Sequence, residues 1–230
     1  MNGLLMNVPA MLVLTVGAYL LGVWVSRKSG LSLLHPFLIA LPVIVAVLKI
    51  LDIPYEFYKE SNYILDFMLG PSVVALGYLL YEHRKVVMDN LAGITSAVVA
   101  GSIVGVLSVF ALCRLFNLDD LFILSLEAKS VTSPIAMDIT ASAGGNVSLA
   151  AVSVVLCGFL GATIGPLCVR ILKFKSPVSR GLAFGCSSHG LGTAKAIEMG
   201  AVEGAVSGLS IALMGLVTAL IVPLCNMLLL

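Results

Sequence analysis

The stretch LEAKSVTSPIAMDIT places Lys129 and three hydroxyls, Ser130, Thr132 and Ser133, directly before Pro134, within a run of membrane-length apolar sequence. A charge at that depth is costly and marks a substrate or ion path. Pro134 suits the first turn of a helix, whose unpaired N–H groups and partial positive charge attract anions. An ammonium, hydroxyls and a helix N-terminus together suit a carboxylate. Two blander roles compete: Lys129 snorkelling to a membrane surface, and Glu127 neutralising it in a structural or proton-linked pair.

GCSSHGLGTAKA is the second such stretch. His189 stands between Ser188 and Gly190, with Ser187 and Thr193 close by. An unperturbed histidine titrates near pH ~6.5, which suits a coupling proton, and its neutral ring can orient a ligand hydroxyl. Interhelical hydrogen bonding by small polar residues is the plainer alternative. In LGPSVVALG, Gly70 and Pro71, followed by Ser72, are expected to unwind a span and offer backbone groups to a ligand. Gly101 with Gly105, and Gly200, Gly204 and Gly208, read as close helix packing.

These groups must be carried by membrane helices. With 60% hydrophobic residues, 11% charged residues and a mean hydropathy of +1.11 over 230 residues, the chain has too little polar surface for a soluble globule. The expected fold is all-α and polytopic, one membrane domain over residues 1–230, with about seven or eight segments, broken or re-entrant helices and an inverted repeat as one option. Apolar stretches near 9–25, 35–51, 63–81, 91–113, 147–170 and 205–229 are each long enough to cross, while 120–143 and 180–199 are apolar but interrupted. The first stretch lacks a basic leader and runs to Trp24, so it is expected to be a retained span rather than a cleaved signal. Net charge of +1 gives no reason to invoke nucleic acid.

Basic loops favour the cytoplasmic side. Arg27 with Lys28, Arg84 with Lys85, and Arg170, Lys173, Lys175 and Arg180 define three such loops. If 120–143 crossed fully, the last of them would lie outside, so a re-entrant hairpin entering and leaving from outside is expected there, with its tip near KSVTSP. The repeat would pair a break at Gly70–Pro71 with one at Ser187–Gly190, each flanked by intact spans.

Enzyme chemistry is not expected. There is no paired His/Cys metal spacing, no GxSxG elbow and no phosphate-cradling loop, and Ser187, Ser188 and His189 are too close in sequence to imply a triad. Cys113, Cys157, Cys168, Cys186 and Cys225 lack CxxC spacing and read as small packing residues.

The strings LGPSVVALGYLLY (69–81), KSVTSPIAMDIT (129–140), Gly144–Gly145, VVLCGFLGATIGP (154–166) and RGLAFGCSSHGLGTAKAIEMG (180–200) resemble the LrgB/CidB membrane proteins. That resemblance implies a multi-pass protein of the bacterial cytoplasmic membrane. The family is described as antiholin-like or as affecting murein hydrolase export. Its plant members are similar to the plastid glycolate/glycerate transporter, bacterial ones are linked to pyruvate and related monocarboxylates, and bacterial members work beside a small LrgA/CidA-type partner.

Residues and resemblance converge on carriage of a small monocarboxylate, coupled to H+ or Na+ and needing no other cofactor. Lys129 would attract the carboxylate, Ser130, Thr132 and Ser133 would bind its oxygens at the helix start marked by Pro134, Gly70, Pro71 and Ser72 would lend backbone, and Ser187, Ser188, His189 and Thr193 would complete the site. The rival is an antiholin-like component without a defined solute. A homodimer is the expected assembly.

Overall fold

Hydrocarbon offers a backbone no hydrogen-bond partners, so a chain this apolar satisfies its N–H and C=O groups within helices. The computed structural model describes residues 7–29 and 35–230, and every regular element among them is an α-helix. Five of these helices are long and apolar enough to cross a membrane, and another apolar helix, Pro36–Ile50, is shorter. The chain divides into two compact units, residues 1–75 and 76–230.

The first unit holds α1 (Val8–Ser29), α2 (Pro36–Ile50), α3 (Tyr55–Ser61) and the start of α4 (Tyr63–Glu82). α1 and α2 lie so close that a side chain at Gly22 would collide with the Pro36 carbonyl. A polar knot ties α3 to α1, the Thr15 hydroxyl lying 2.8 Å from the Tyr58 hydroxyl and 2.9 Å from the Asn62 side-chain oxygen. The break expected at Gly70–Pro71 is absent, for α4 runs unbroken with Pro71 inside it. A proline removes only one N–H, which a membrane helix absorbs more cheaply than unwinding, and the Ser72 hydroxyl donates to the Met68 carbonyl at 2.8 Å in the same turn. Gly70, Pro71 and Ser72 are therefore exposed helical residues, not an unwound contributor.

In the second unit α6 (Leu91–Leu115) follows the short α5 (Arg84–Asp89) and acts as a spine. Ile94, Val98, Ser102, Val106, Val109 and Cys113 are buried at steps of three and four, a single stripe along its length. Three apolar clusters stack on that stripe. Ile94 joins Val87 and Val206, with Val178 and Val202, at the Leu91 end. Val98 shares the middle cluster with Ala128, Val131, Val154 and Met214. Val109 and Cys113 hold Ile123 and Leu126 at the far end.

Two helical hairpins approach this spine from opposite ends. The first is α7 (Asp120–Leu126) with α8 (Ser133–Ala143), of 7 and 11 residues. At about 1.5 Å per residue they reach about 10 and 16 Å, well short of a core about 30 Å thick. After the left-handed turn at Gly144 (φ 81°) the chain is back beside α7: the Asn146 N–H donates to Ser125 Oγ at 2.8 Å, and Gly145 lies against the Leu124 carbonyl. The fold-back inferred from the charge conflict is present.

The second hairpin was not foreseen. α9 (Val147–Ile171) leads to α10 (Pro177–Met199), expected as one loosened crossing over about 180–199. Instead the chain reverses at His189 (φ 37°, ψ −125°). A side chain at Gly192 would lie 2.6 Å from the Phe184 carbonyl, although in a straight helix these positions stand about 12 Å apart. Arg180, near the start of α10, binds Glu203, just inside α11 (Ala201–Leu229), so both ends of the hairpin lie together. The break is thus His189 itself, and Gly185 and Gly192 are contact points rather than hinges. Of the two breaks expected to define a repeat, the one at Ser187–Gly190 is present at His189, where the chain turns back, and the one at Gly70–Pro71 is absent because α4 is continuous.

In a chain freed of native cysteines, cysteines introduced at Asp120 and Asn146 are expected to react with a membrane-impermeant maleimide from one side. Those at Ser176 and Gly200 should react from the other. Labelling of 120 and 146 from opposite sides would restore a full crossing.

Candidate polar site at the hairpin tips

The two tips meet halfway along α6. Lys129 Nζ donates to the Gly105 carbonyl at 3.3 Å, and Ser130 Oγ is 3.8 Å from where a Gly105 side chain would begin. One turn away, Gly101 faces Cys186 of the second hairpin at the same 3.8 Å. α9 joins the tips from its own side. Val154 belongs to the cluster that buries Ala128 and Val131, while its carbonyl is 3.0 Å from His189 Nε2. The Cys157 thiol donates to the Ser187 carbonyl at 3.2 Å and lies within electrostatic reach of the Lys129 ammonium.

The second tip approaches this closely because α9 presents glycines at steps of three and four. A side chain at Gly158 would lie 2.5 Å from His189 Cε1, one at Gly161 would overlap the Ser188 hydroxyl, and one at Gly165 would lie 2.5 Å from the Phe184 ring. Small residues of this kind let membrane helices approach backbone to backbone. His189 is 7% exposed and Ser188 fully buried, so its ring and hydroxyl are held rather than loose. The Ser187 and Ser188 hydroxyls are 2.8 Å apart.

Of the residues expected to form one site, Lys129, Ser130, Ser187, Ser188 and His189 come together around α6 and α9. Thr132 stands at the N-cap position of α8 without a side-chain capping bond, and Ser133 and Pro134 are in its first turn. Thr193 sits on the return arm and bonds Ser207 of α11, hydroxyl to hydroxyl at 2.7 Å. Gly70, Pro71 and Ser72 belong to the first unit. The Glu127–Lys129 pair does not form. Glu127 Oε1 accepts from Asn226 Nδ2 at 2.9 Å, and the ion pairs among the described residues are Arg114–Asp120, Arg180–Glu203 and Lys195–Glu198.

Sequence reasoning passed over Gly158, Gly161, Cys157 and Asn226. The glycine spacing in VVLCGFLGATIGP was a usable signal for the first two; Asn226 had none. Between α8 and α11 runs a groove of about 680 Å³ lined by Leu124, Asp138, Ser142, Pro223, Asn226 and Met227 among others, and neither Lys129 nor His189 lines it. Among the described residues no group of three His, Cys, Asp or Glu is placed to hold a metal ion.

Long apolar helices enclosing two opposed half-length hairpins, with a polar centre between them, define a multi-pass membrane protein. The chain belongs to the LrgB-like family, whose model matches residues 15–228. It is 32% identical over 213 residues to the antiholin-like protein LrgB of Bacillus subtilis (strain 168), covering 92% of each chain. To the holin-like protein CidB of Staphylococcus aureus (strain N315) it is 30% identical, and to the protein YxaC of Bacillus subtilis 35%, with 93% of each chain covered in both cases. No solved structure matches it.

Proposed function

We propose that this protein is an antiholin-like component of a bacterial cytoplasmic membrane, acting on murein hydrolase export or activity beside a small LrgA/CidA-type partner. The observation that carries this reading is the naming of its relatives as antiholin-like LrgB and holin-like CidB over nearly the whole chain. Those names support it better than the monocarboxylate carriage expected first from the sequence.

One observation favours carriage as a second reading. Lys129 stands at the meeting point of two hairpins that enter from opposite ends, halfway along a spanning helix. Broken helices converging near the midplane are a recurring build of secondary transporters. A cation at such a point draws a small carboxylate such as glycolate, glycerate or pyruvate, in a scaffold of five long spanning helices, the shorter α2 and two re-entrant hairpins, assembling as a homodimer. Cation coupling is part of this reading, because an anion entering alone works against a negative-inside potential at about 2.3 kcal/mol per charge at 100 mV.

Uptake of labelled glycolate, glycerate and pyruvate into proteoliposomes, with and without the partner, separates the two. Carriage predicts uptake by the parent and background counts for a folded Lys129→Met. Altered hydrolase release by a deletion strain, with no uptake of any of the three acids, leaves the antiholin-like reading alone.

A further inference from the structure

Two carboxylates are almost completely buried in the second unit, and they are treated differently. Glu203 is 4% exposed and lies in the fork of the Arg180 guanidinium. Glu127 is 2% exposed, and its hydrogen-bond partner is a neutral amide, Asn226 Nδ2 at 2.9 Å. Lys129, two residues along, turns its ammonium to the Gly105 carbonyl instead. The other groups around Glu127 supply no positive charge. On α11 Cys225 faces it, α6 brings Cys113, which packs with Leu126 just before it, and α8 places Asp138 in the groove; Arg114, next to Cys113 on α6, is taken by Asp120. An ionised carboxylate inside a membrane needs a compensating charge, and no ion pair among the described residues supplies one here.

We infer that Glu127 is a proton-binding site, loaded from water of the α8–α11 groove where Asn226 lines it. Asn226 is common to both, lining the groove and donating to Oε1, which leaves Oε2 to carry the proton. Binding and release are a transfer of H+ between that oxygen and water in the groove, with no other bond changed. A sodium ion fits poorly, because it takes several oxygens and the amide turns an N–H toward the carboxylate. Use of this proton to balance a transported anion rests on the carriage reading; the proton site itself does not.

The test is infrared difference spectroscopy of the full chain in lipid nanodiscs, stepped in pH and recorded in H2O and D2O. The expected result is a protonated-carboxyl C=O band that shifts in D2O, disappears at alkaline pH, is lost in Glu127→Gln and persists in Asp138→Asn and Glu198→Gln. Asn226→Leu, which keeps the carboxyl and removes its hydrogen bond, should move the band rather than abolish it. A band unchanged in both Glu127→Gln and Asn226→Leu overturns the assignment, as does a signal that responds to sodium at constant pH and not to pH. If the band behaves as expected while no labelled acid enters proteoliposomes, the proton site stands and the carriage reading falls.

Discussion

Arg180→Met is expected to destabilise the folded protein by about 3 kcal/mol, the lower end of the cost of orphaning a buried charge. Two guanidinium nitrogens, Nε at 3.0 Å and Nη2 at 2.6 Å, converge on the same Glu203 oxygen. The pair is lopsided: the Glu203 side chain is 5% exposed and that of Arg180 27%. Removing the arginine strands a carboxylate in the interior. Glu203→Gln removes the buried charge and leaves a cation with access to water, so it should cost about 1 kcal/mol. Denaturant unfolding of the purified protein in detergent measures both. Equal effects would show that desolvation of Glu203 is not what makes this clamp matter.

Gly161→Val is expected to cost about 3 kcal/mol, because even the first carbon of a side chain there would overlap the Ser188 hydroxyl. Ser188 lies next to the reversal at His189, where a non-glycine residue already holds φ 37°. With no room to yield along α9, the whole tip has to move. Gly105→Ala is the matched control. Its nearest neighbour would be Ser130 Oγ at 3.8 Å, an ordinary contact, so helix propensity makes it neutral or stabilising by up to about 1 kcal/mol. Comparable losses for the two variants would remove the steric argument for the α9 ridge.

What could be read from the chain alone depended on whether its signal was local. Long apolar runs settle their own length, and stretches expected near 91–113 and 147–170 became Leu91–Leu115 and Val147–Ile171. The first hairpin was legible for a different reason, since a full crossing by 120–143 would put the basic residues from Arg170 to Arg180 outside. Pro71 misled because proline signals a break in water, whereas in lipid an exposed backbone costs more than a kink. In α10 the local stretch SSHG marked a break, and the chain does break at His189, but nothing local marked that it would turn back. Its 23 residues have spanning length, and what turns them back lies on α9 and α11: glycines that admit Phe184 and Ser188, and Ser207, which bonds Thr193. Glu127 illustrates the same limit, for Asn226 is 99 residues away in sequence and no pattern around either residue points to the other.

The brevity of the hairpin arms also bears on how the protein is made. A translocon hands a nascent chain to lipid one full-length apolar helix at a time, and arms of about 10 to 18 Å are too short to be handed over alone. The first hairpin emerges after its spine, α6, but before α9; the second emerges after α9 but before α11, whose backbone at Glu203 and Ser207 presses on Gly181 and Gly185. Each hairpin must therefore wait, partly wetted, for the helix that follows it. Biogenesis is gated from the C-terminal side: a chain stopped before Ala201 has every group of the polar centre around Lys129 and His189 already synthesised and nothing on the far side of the second hairpin to close it.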